Sequence, residues 1–231
     1  VSREDQDAWA VESHRRYARA QADGYFDFER FAVEAPGAKG SVHQVQEDES
    51  PRSDTSIEKL ARLQPVYGGK TVTAGNAPGL NDGAAFIMLC RRDFAQAHGL
   101  EVLARIVDYA QVSGAPTSGT STPAHAIARL ADRNAVDARG WDAIEINEAY
   151  AATPLVSTLA LADDDITLAE QLRSRTNMHG GAVALGHPLG ASGARIVMTL
   201  INGLRKRGGG RGVAAICGGF GQGDGMLITV D

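Results

Sequence analysis

Residues 180–195 read Gly-Gly-Ala-Val-Ala-Leu-Gly-His-Pro-Leu-Gly-Ala-Ser-Gly-Ala-Arg, and they open the part of the chain where glycine is most concentrated. Of the 27 glycines in the 231-residue sequence, 15 lie between Gly180 and Gly225. Glycine permits backbone conformations and close approaches that a side chain would block. The stretch therefore predicts a constrained loop, accessible to a ligand, that leads into a helix at 193–206.

Strands and helices are predicted to alternate on both sides of this loop. The predicted strands are 84–90, 102–109, 142–146, 212–217 and 226–230. One predicted helix ends at Gly99, and two more span 123–135 and 149–161. Thr122 is the expected N-cap of the second of these helices, with Pro123 at its first position. Such alternation is typical of a layered α/β fold with helices on the faces of a sheet. The last two strands have no helix between them, so we expect them to be antiparallel neighbours.

The first 76 residues are more polar and less regular, and they predict a loop-rich accessory region. One helix is expected over 2–20, because Ser2 and Asp5 have the spacing of a capping box. A second, short helix should carry Ile57 and Leu60 and stop before Pro65.

The composition excludes several classes of protein. A formal charge of −5 argues against nucleic-acid binding, and the longest apolar run, Ala84–Cys90, is far shorter than the ~20 residues of a membrane helix. We therefore expect a cytoplasmic protein that binds neither nucleic acid nor membrane. With two cysteines and no C-x-x-C pair, no disulfide framework or metal site is expected. The glycine spacing at 186–193 fits neither a P-loop nor a dinucleotide fingerprint.

Three polar groups near predicted strand ends are candidates for chemistry. Asn147 follows the strand 142–146, and His187 lies between a glycine and a proline in the glycine-rich loop. Cys217 ends the strand 212–217 and precedes two glycines whose N–H groups could form an oxyanion hole. Open α/β sheets place their sites at such strand ends. A buried structural cysteine remains the alternative for Cys217, whereas Cys90 is expected to pack in the core.

Several motifs along the chain point to one family. They are Thr71–Ala77 (T-V-T-A-G-N-A), Asn81–Ala85 (N-D-G-A-A), Asn147–Tyr150 (N-E-A-Y), the glycine-rich stretch 180–195 and Cys217–Gly219 (C-G-G). Together, and in this order, they resemble the β-ketothiolases of the acetyl-CoA acetyltransferase type. The long glycine signature is highly specific, so chance explains the match poorly.

The resemblance implies the thiolase fold, in which two similar α/β halves stack in layers and carry an inserted loop domain. Residues 1–76 would then be a remnant of the loop domain, 77–98 the last strand and helix of the N-terminal half, and 99–231 the C-terminal domain. The rest of the N-terminal half would be absent, together with its nucleophilic cysteine, and would come from the same precursor or from a separate chain. The family also implies a dimer or tetramer.

The resemblance further implies a role for each candidate residue. His187 would activate the nucleophilic thiol, Asn147 would position a water beside it, Cys217 would act as the second acid/base, and the Gly219 N–H would help to form an oxyanion hole. Coenzyme A would contact Arg52, Ala74, Pro78, Leu80, Ala149 and Tyr150. Coenzyme A thioesters would be the substrates, with no further cofactor.

The expected function is therefore an acyl-CoA acyltransferase that condenses two acyl-CoA molecules or cleaves a 3-ketoacyl-CoA. The alternative is a non-catalytic thiolase-like subunit that binds acyl-CoA or serves as a scaffold. The joint presence of His187, Cys217 and Asn147 favours the enzyme, because a scaffold has no need for all three together.

Overall fold

The computed structural model describes all 231 residues. The helices are α1 (Arg3–Ala22), α2 (Ile57–Leu60), α3 (Arg92–Ala97), α4 (Thr122–Arg133), α5 (Ala152–Leu161), α6 (Ile166–Arg173), α7 (Ala182–Leu185) and α8 (Leu189–Lys206). The strands are β1 (Val33–Pro36), β2 (Val42–Val45), β3 (Arg105–Ser113), β4 (Ala143–Ile146), β5 (Gly210–Gly218) and β6 (Gln222–Val230). None of the helices has both the length and the apolar character needed to cross a bilayer.

Four strands form the central sheet, in the order β3-β6-β5-β4. β6 is antiparallel to both of its neighbours, so the expected antiparallel pairing of the last two strands is confirmed. β4 and β5 are parallel, and their carboxyl ends therefore meet at one edge of the sheet. β1 and β2 form a separate antiparallel hairpin.

Helices cover both faces of the central sheet, and each face buries its own core. α4, α5 and α6 cover one face and α8 covers the other. Successive side chains of a strand point to opposite faces, which is why Val213 belongs to the first core and Ala214 to the second. The largest side chains of the two cores are Ile127, Leu130, Trp141, Ile144, Ile146, Leu172 and Leu227 on the first face, and Ile196, Leu200, Leu204 and Ile228 on the second.

The N-terminal helix is capped as the sequence predicts. The Ser2 hydroxyl accepts a hydrogen bond from the Asp5 amide at 3.0 Å, and the Asp5 carboxylate accepts one from the Ser2 amide at 2.8 Å. Both contacts satisfy amides that a helix start leaves without partners. α1 then packs Trp9 against α5 and α7, so it lies close to the glycine-rich stretch.

The predicted strand at 84–90 does not form. These residues have no regular secondary structure, and Phe86, Met88 and Leu89 expose 79%, 72% and 69% of their surface. An apolar run becomes a strand only where another strand supplies hydrogen-bonding partners, and none lies beside this one. Cys90 is exposed as well, so its expected place in the core is wrong.

Several boundaries also differ from the sequence-based prediction. β3 begins three residues later than expected, α8 begins at Leu189 rather than at 193, and the hairpin and α6 were not predicted. α6 starts where the Asp165 carboxylate accepts a hydrogen bond from the Leu168 amide, a capping signal hidden within a run of acidic residues. α4 begins at Thr122, with Ser121 rather than Thr122 at the N-cap.

α4 lies directly on the backbone of β6. The Thr122 hydroxyl donates to the carbonyl of Gln222 at 2.7 Å, and Thr122 is the first residue of the helix rather than its N-cap. A Cβ atom at Gly223 would lie 2.7 Å from the Thr122 Cβ and 2.8 Å from its carbonyl oxygen. Glycine at this position therefore permits the close approach of helix and strand.

We predict that Gly223→Ala lowers the free energy of unfolding by roughly 2–3 kcal/mol, because α4 must move to make room for the methyl group. Gly193→Ala is the matched control. Gly193 lies in α8 with nothing within 4 Å of its would-be Cβ, so alanine should stabilise the helix by about 0.5–1 kcal/mol. Urea unfolding curves measure both, and equal effects of the two substitutions would contradict the packing described.

His179 lies in a stacked aromatic cluster under α8. Its ring stacks on Tyr25 with centroids 3.7 Å apart, and the Lys206 ammonium lies 4.5 Å from the centroid of the Tyr25 ring. Burial, followed by the charges of nearby basic residues, lowers the pKa of His179 to about 4. The folded protein therefore holds this imidazole in its neutral form at physiological pH.

The low pKa of His179 predicts a loss of stability in acid. The unfolded chain takes up a proton below about pH 6.5, whereas the folded chain does so only near pH 4, so the free energy of unfolding should fall by roughly 2–3 kcal/mol across this window. His179→Phe keeps the aromatic stack on Tyr25 and should remove the part of this stability loss that His179 causes. Urea curves at pH 7.5 and 4.5 measure it, with exposed His43→Gln as the control that should retain the loss. An undiminished loss in the His179→Phe variant would contradict the prediction.

Candidate active site

The carboxyl ends of β4 and β5 bring two of the candidate segments together. Asn147 directly follows β4, and its amide donates to the carbonyl of Ala215 on β5 at 2.9 Å. Cys217 lies two residues further along β5 and is half-buried. The strand register therefore places Asn147 and Cys217 at the same edge of the sheet.

The imidazole of His187 is held from both sides. Its Nδ1 lies 2.7 Å from the Ser192 hydroxyl, and its Nε2 lies 3.3 Å from the side-chain nitrogen Nδ2 of Asn147. The Ser192 hydroxyl donates its only proton to the carbonyl of Pro188 at 3.0 Å, so it accepts from Nδ1–H. This pattern assigns the proton to Nδ1 and leaves Nε2 as the basic nitrogen.

Burial, and secondly the charge of Arg195, lower the pKa of His187. Both effects favour the neutral imidazole, which is the form that can accept a proton. The Asn147 Oδ1 is buried and has no hydrogen-bond partner, so one acceptor remains free next to the ring. The pair can thus offer a base and a polar anchor at one point.

A buried carboxylate fixes the start of the glycine-rich stretch. Glu148 accepts hydrogen bonds from the Trp9 indole at 2.8 Å and the Ser13 hydroxyl at 2.9 Å, both on α1. It also accepts from the Asn177 side chain at 3.0 Å and from the Val183 amide at 2.9 Å. Four donors satisfy the buried charge and join α1, β4 and α7.

The loop that carries His187 packs against the 71–85 motifs. Gly186 has a φ of 99°, and a Cβ atom there would collide with the Asn81 side chain. The His187 amide donates to the carbonyl of Gly79 at 3.2 Å, and the Ala151 amide donates to that of Asn76 at 2.9 Å. Positions 74–80 therefore lie between the His187 loop and the turn that contains Ala149 and Tyr150.

Cys217 makes no hydrogen bond to His187 or to Asn147 in this structure. Burial raises the pKa of the Cys217 thiol, so the protonated form is favoured at neutral pH. Gly219 is exposed and precedes Phe220, whose φ of 62° turns the chain towards β6. The exposed position of Gly219 leaves its backbone within reach of a ligand.

The residues expected along coenzyme A line the surface of this region. Arg52, Ala74, Leu80 and Tyr150 are exposed, whereas Pro78 and Ala149 are half-buried. The amide of Arg52 donates to Nδ1 of His14 at 3.2 Å. Asn81 donates to the Ser50 hydroxyl at 2.7 Å, which places the 50–52 segment beside the His187 loop. Their roles in binding stay predictions.

Sequence reasoning did not assign roles to Ser192 and Glu148, although both lie within the motifs. Ser192 follows His187 by five residues, a spacing that indicates a contact once α8 is known to begin at Leu189. The partners of Glu148 lie 29 to 139 residues away in sequence, so no local pattern could have found them.

The fold and the site together define an α/β protein in which a glycine-rich segment holds a basic imidazole at the carboxyl ends of two parallel strands. The family model described as thiolase, C-terminal domain, matches residues 100–230, and that described as thiolase, N-terminal domain, matches residues 1–93. The chain belongs to the thiolase family, and the resemblance inferred from the sequence is confirmed.

Individual thiolases are similar over the whole chain. The beta-ketoadipyl-CoA thiolase of Pseudomonas knackmussii is 45% identical over 231 residues, which are 99% of this chain and 55% of that protein. The crystal structure of the Bacillus anthracis acetyl-CoA acetyltransferase has a TM-score of 0.91 and 38% identity, covering 100% of this chain and 57% of the other. The human mitochondrial 3-ketoacyl-CoA thiolase in complex with CoA has a TM-score of 0.86 and 37% identity, covering 100% and 55%.

These similarities confirm the predicted thiolase fold and correct one expectation. The absence of the N-terminal half, and its supply by a separate chain, are not supported, because the N-terminal domain model matches residues 1–93. The chain spans a little over half the length of the thiolases it matches. The boundaries at 76 and 98 stay predictions.

We predict that Ser192→Ala changes the protonation pattern of His187. Without the acceptor at Nδ1, the imidazole loses its preference for the Nδ1–H tautomer, and nitrogen-15 chemical shifts of the ring measure the change. Ser174→Ala, which alters an exposed serine, is the matched control and should leave these shifts unchanged. Unaltered shifts in the Ser192→Ala variant would show that the hydroxyl does not set the tautomer.

Proposed function

We propose that the protein is an acyl-CoA acyltransferase that condenses two acyl-CoA molecules or cleaves a 3-ketoacyl-CoA with coenzyme A. The observation that carries this proposal is the set of hydrogen bonds around His187. Nδ1–H donates to the Ser192 hydroxyl, so Nε2 is the basic nitrogen, and it lies beside the side-chain amide of Asn147. The names of similar proteins also support it, since they include a beta-ketoadipyl-CoA thiolase and an acetyl-CoA acetyltransferase.

Cleavage begins with a proton transfer to His187. The two cysteines of these 231 residues are Cys90, which is exposed, and Cys217, which carries the second proton transfer, so the nucleophilic thiol is a further group. Nε2 takes the proton of this thiol, and the resulting thiolate attacks the 3-keto carbon. The new Nε2–H then donates to the oxygen of the thioester that forms. Asn147 holds a water that donates to the same oxygen, so the two side chains form one oxyanion hole.

Cys217 supplies the second proton transfer. When the bond between C2 and C3 breaks, its electron pair remains on C2, and the Cys217 S–H protonates that carbon to release an acyl-CoA. The raised pKa of this half-buried thiol suits the role, because the donor must carry a proton. The Gly219 N–H stabilises the enolate oxygen before the proton arrives.

The second half of the reaction restores both groups. A new coenzyme A thiol gives its proton to the Cys217 thiolate, and its sulfur attacks the acyl-enzyme thioester. The acyl group leaves on coenzyme A, and the enzyme thiolate is regenerated beside the His187 imidazolium. Condensation is the same sequence in reverse, with Cys217 removing the α-proton.

Coenzyme A binds along Arg52, Ala74, Pro78, Leu80, Ala149 and Tyr150 in this proposal. Two backbone hydrogen bonds support the path, because they join the segment at 76–79 to the His187 loop and to the turn after Asn147. Coenzyme A thioesters are the substrates, and neither a metal nor another cofactor takes part. The assembly is a homo-oligomer, either a dimer or a tetramer, which light scattering after size-exclusion chromatography measures.

The activity is tested by thiolysis of acetoacetyl-CoA, followed by loss of the ketoacyl absorbance. We expect His187→Asn and Cys217→Ala each to lower kcat by about 10²- to 10⁴-fold, because each removes a proton-transfer group. Cys90→Ala is the matched control: this exposed thiol lies outside the site, and its loss should leave kcat unchanged.

Two outcomes would contradict the proposal. Full turnover by Cys217→Ala would remove the assigned acid/base. Tight binding of acetyl-CoA by calorimetry, without turnover in either direction, would favour the non-catalytic acyl-CoA-binding subunit.

A further inference from the structure

Arg195 and Glu145 form a largely buried side-chain pair between α8 and β4. The Arg195 guanidinium on α8 and the Glu145 carboxylate on β4 are 3.9 Å apart, and their side chains expose only 19% and 4% of their surface. Neither Nη1 of Arg195 nor Oε2 of Glu145 has a hydrogen-bond partner. An arginine and a glutamate side chain are thus held largely inside the protein without the close contacts that usually compensate burial.

The pair shares its two elements with the residues that hold the imidazole. Glu145 lies on β4, on the face that α8 covers, and Asn147 follows two residues later, directly after the strand. Arg195 follows Ser192 by three residues on α8, so it lies one helical turn further along the same side. The pair therefore joins the two elements whose spacing sets the contacts of His187.

The charges around Glu145 make the pair asymmetric. Four groups face it from the surrounding elements: Arg195 on α8, Glu148 after β4, Glu29 after the turn at 25–28, and Arg16 on α1. Burial above all, with the two other carboxylates, raises the pKa of Glu145 to about 8. The carboxyl group is consequently largely neutral where His187 titrates, and the charge of Arg195 is not cancelled.

We propose that Arg195 is a positioning residue that keeps the His187 imidazole uncharged, and that Glu145 holds the guanidinium in place as a neutral carboxyl group. The role rests on the proposed function, in which His187 must begin the reaction as a base. A fixed cation near the ring opposes its protonation, and Arg195 is the charged group that acts on it. Arg195 does not touch the reacting atoms and acts only through His187.

The test is a titration of His187 that does not depend on turnover. Histidines labelled with carbon-13 at Cε1 are followed by NMR from pH 4.5 to 9, and the His187 signal is identified from the His187→Asn variant. We expect Arg195→Met to raise the pKa of His187 by about half a pH unit to one unit, because the opposing charge is gone. Arg195→Lys, which keeps the charge, should restore the wild-type value.

Glu145→Gln separates the two parts of the proposal. An amide has the shape of the neutral carboxyl group, so we expect the His187 pKa to stay at its wild-type value. A lower value would mean that the carboxylate is ionised and would overturn the assignment to Glu145. An unchanged pKa in Arg195→Met would overturn the role of Arg195, and Arg195→Gln provides a second neutral variant should the methionine variant fail to fold.

Failure of this inference and failure of the proposed function are distinguishable. The titration reports the charge of the imidazole whether or not the protein turns over acyl-CoA. In an active protein, Arg195→Met should also move the acidic limb of the kcat/KM profile to higher pH by the same amount. If Arg195 had a purely structural role, Arg195→Met would lower kcat/KM at every pH and leave the acidic limb in place.

Discussion

The buried carboxylate of Glu148 is the contact on which the arrangement of the site depends. It accepts hydrogen bonds from two residues of α1, from Asn177, and from the amide of Val183 in α7. An ionised carboxylate inside a protein is tolerated only when its lone pairs are satisfied, and here four donors from three parts of the chain do so. The position of α7, and with it the loop that carries His187, follows from this single group.

The interior next to the site is more polar than stability alone would favour. Glu145 and Arg195 form a largely buried pair at 3.9 Å with unsatisfied atoms, and the half-buried Glu29 accepts hydrogen bonds from Asn202 and Thr199 on α8. Replacing such pairs by apolar residues is often neutral or stabilising in other proteins. Their presence between β4 and α8 is consistent with a role in setting the charge of His187 at some cost in stability.

Local signals in the sequence predicted much of the chain. The capping box of α1, the short α2 and the antiparallel pairing of β5 and β6 rest on a few neighbouring residues or on a short connection without a helix. The predicted strand at 84–90 is wrong for a physical reason. Length and apolarity mark a segment that can be a strand, but only a neighbouring strand with free hydrogen-bonding groups makes it one. The glycine-rich pattern places the start of α8 at 193, whereas the helix begins at Leu189, directly after Pro188, because proline is well tolerated at a helix start.

The sequence by itself determined the family, the α/β class and the identity of the candidate groups, because motifs such as the one at 180–195 encode close backbone approaches that few folds require. Only the tertiary structure decided how those groups are used. The tautomer of His187 depends on where the Ser192 proton points, and burial and the charge of Arg195 lower the pKa of its imidazole. Hydrogen-bond direction and burial are properties of the folded surroundings, and no pattern of neighbouring residues specifies them.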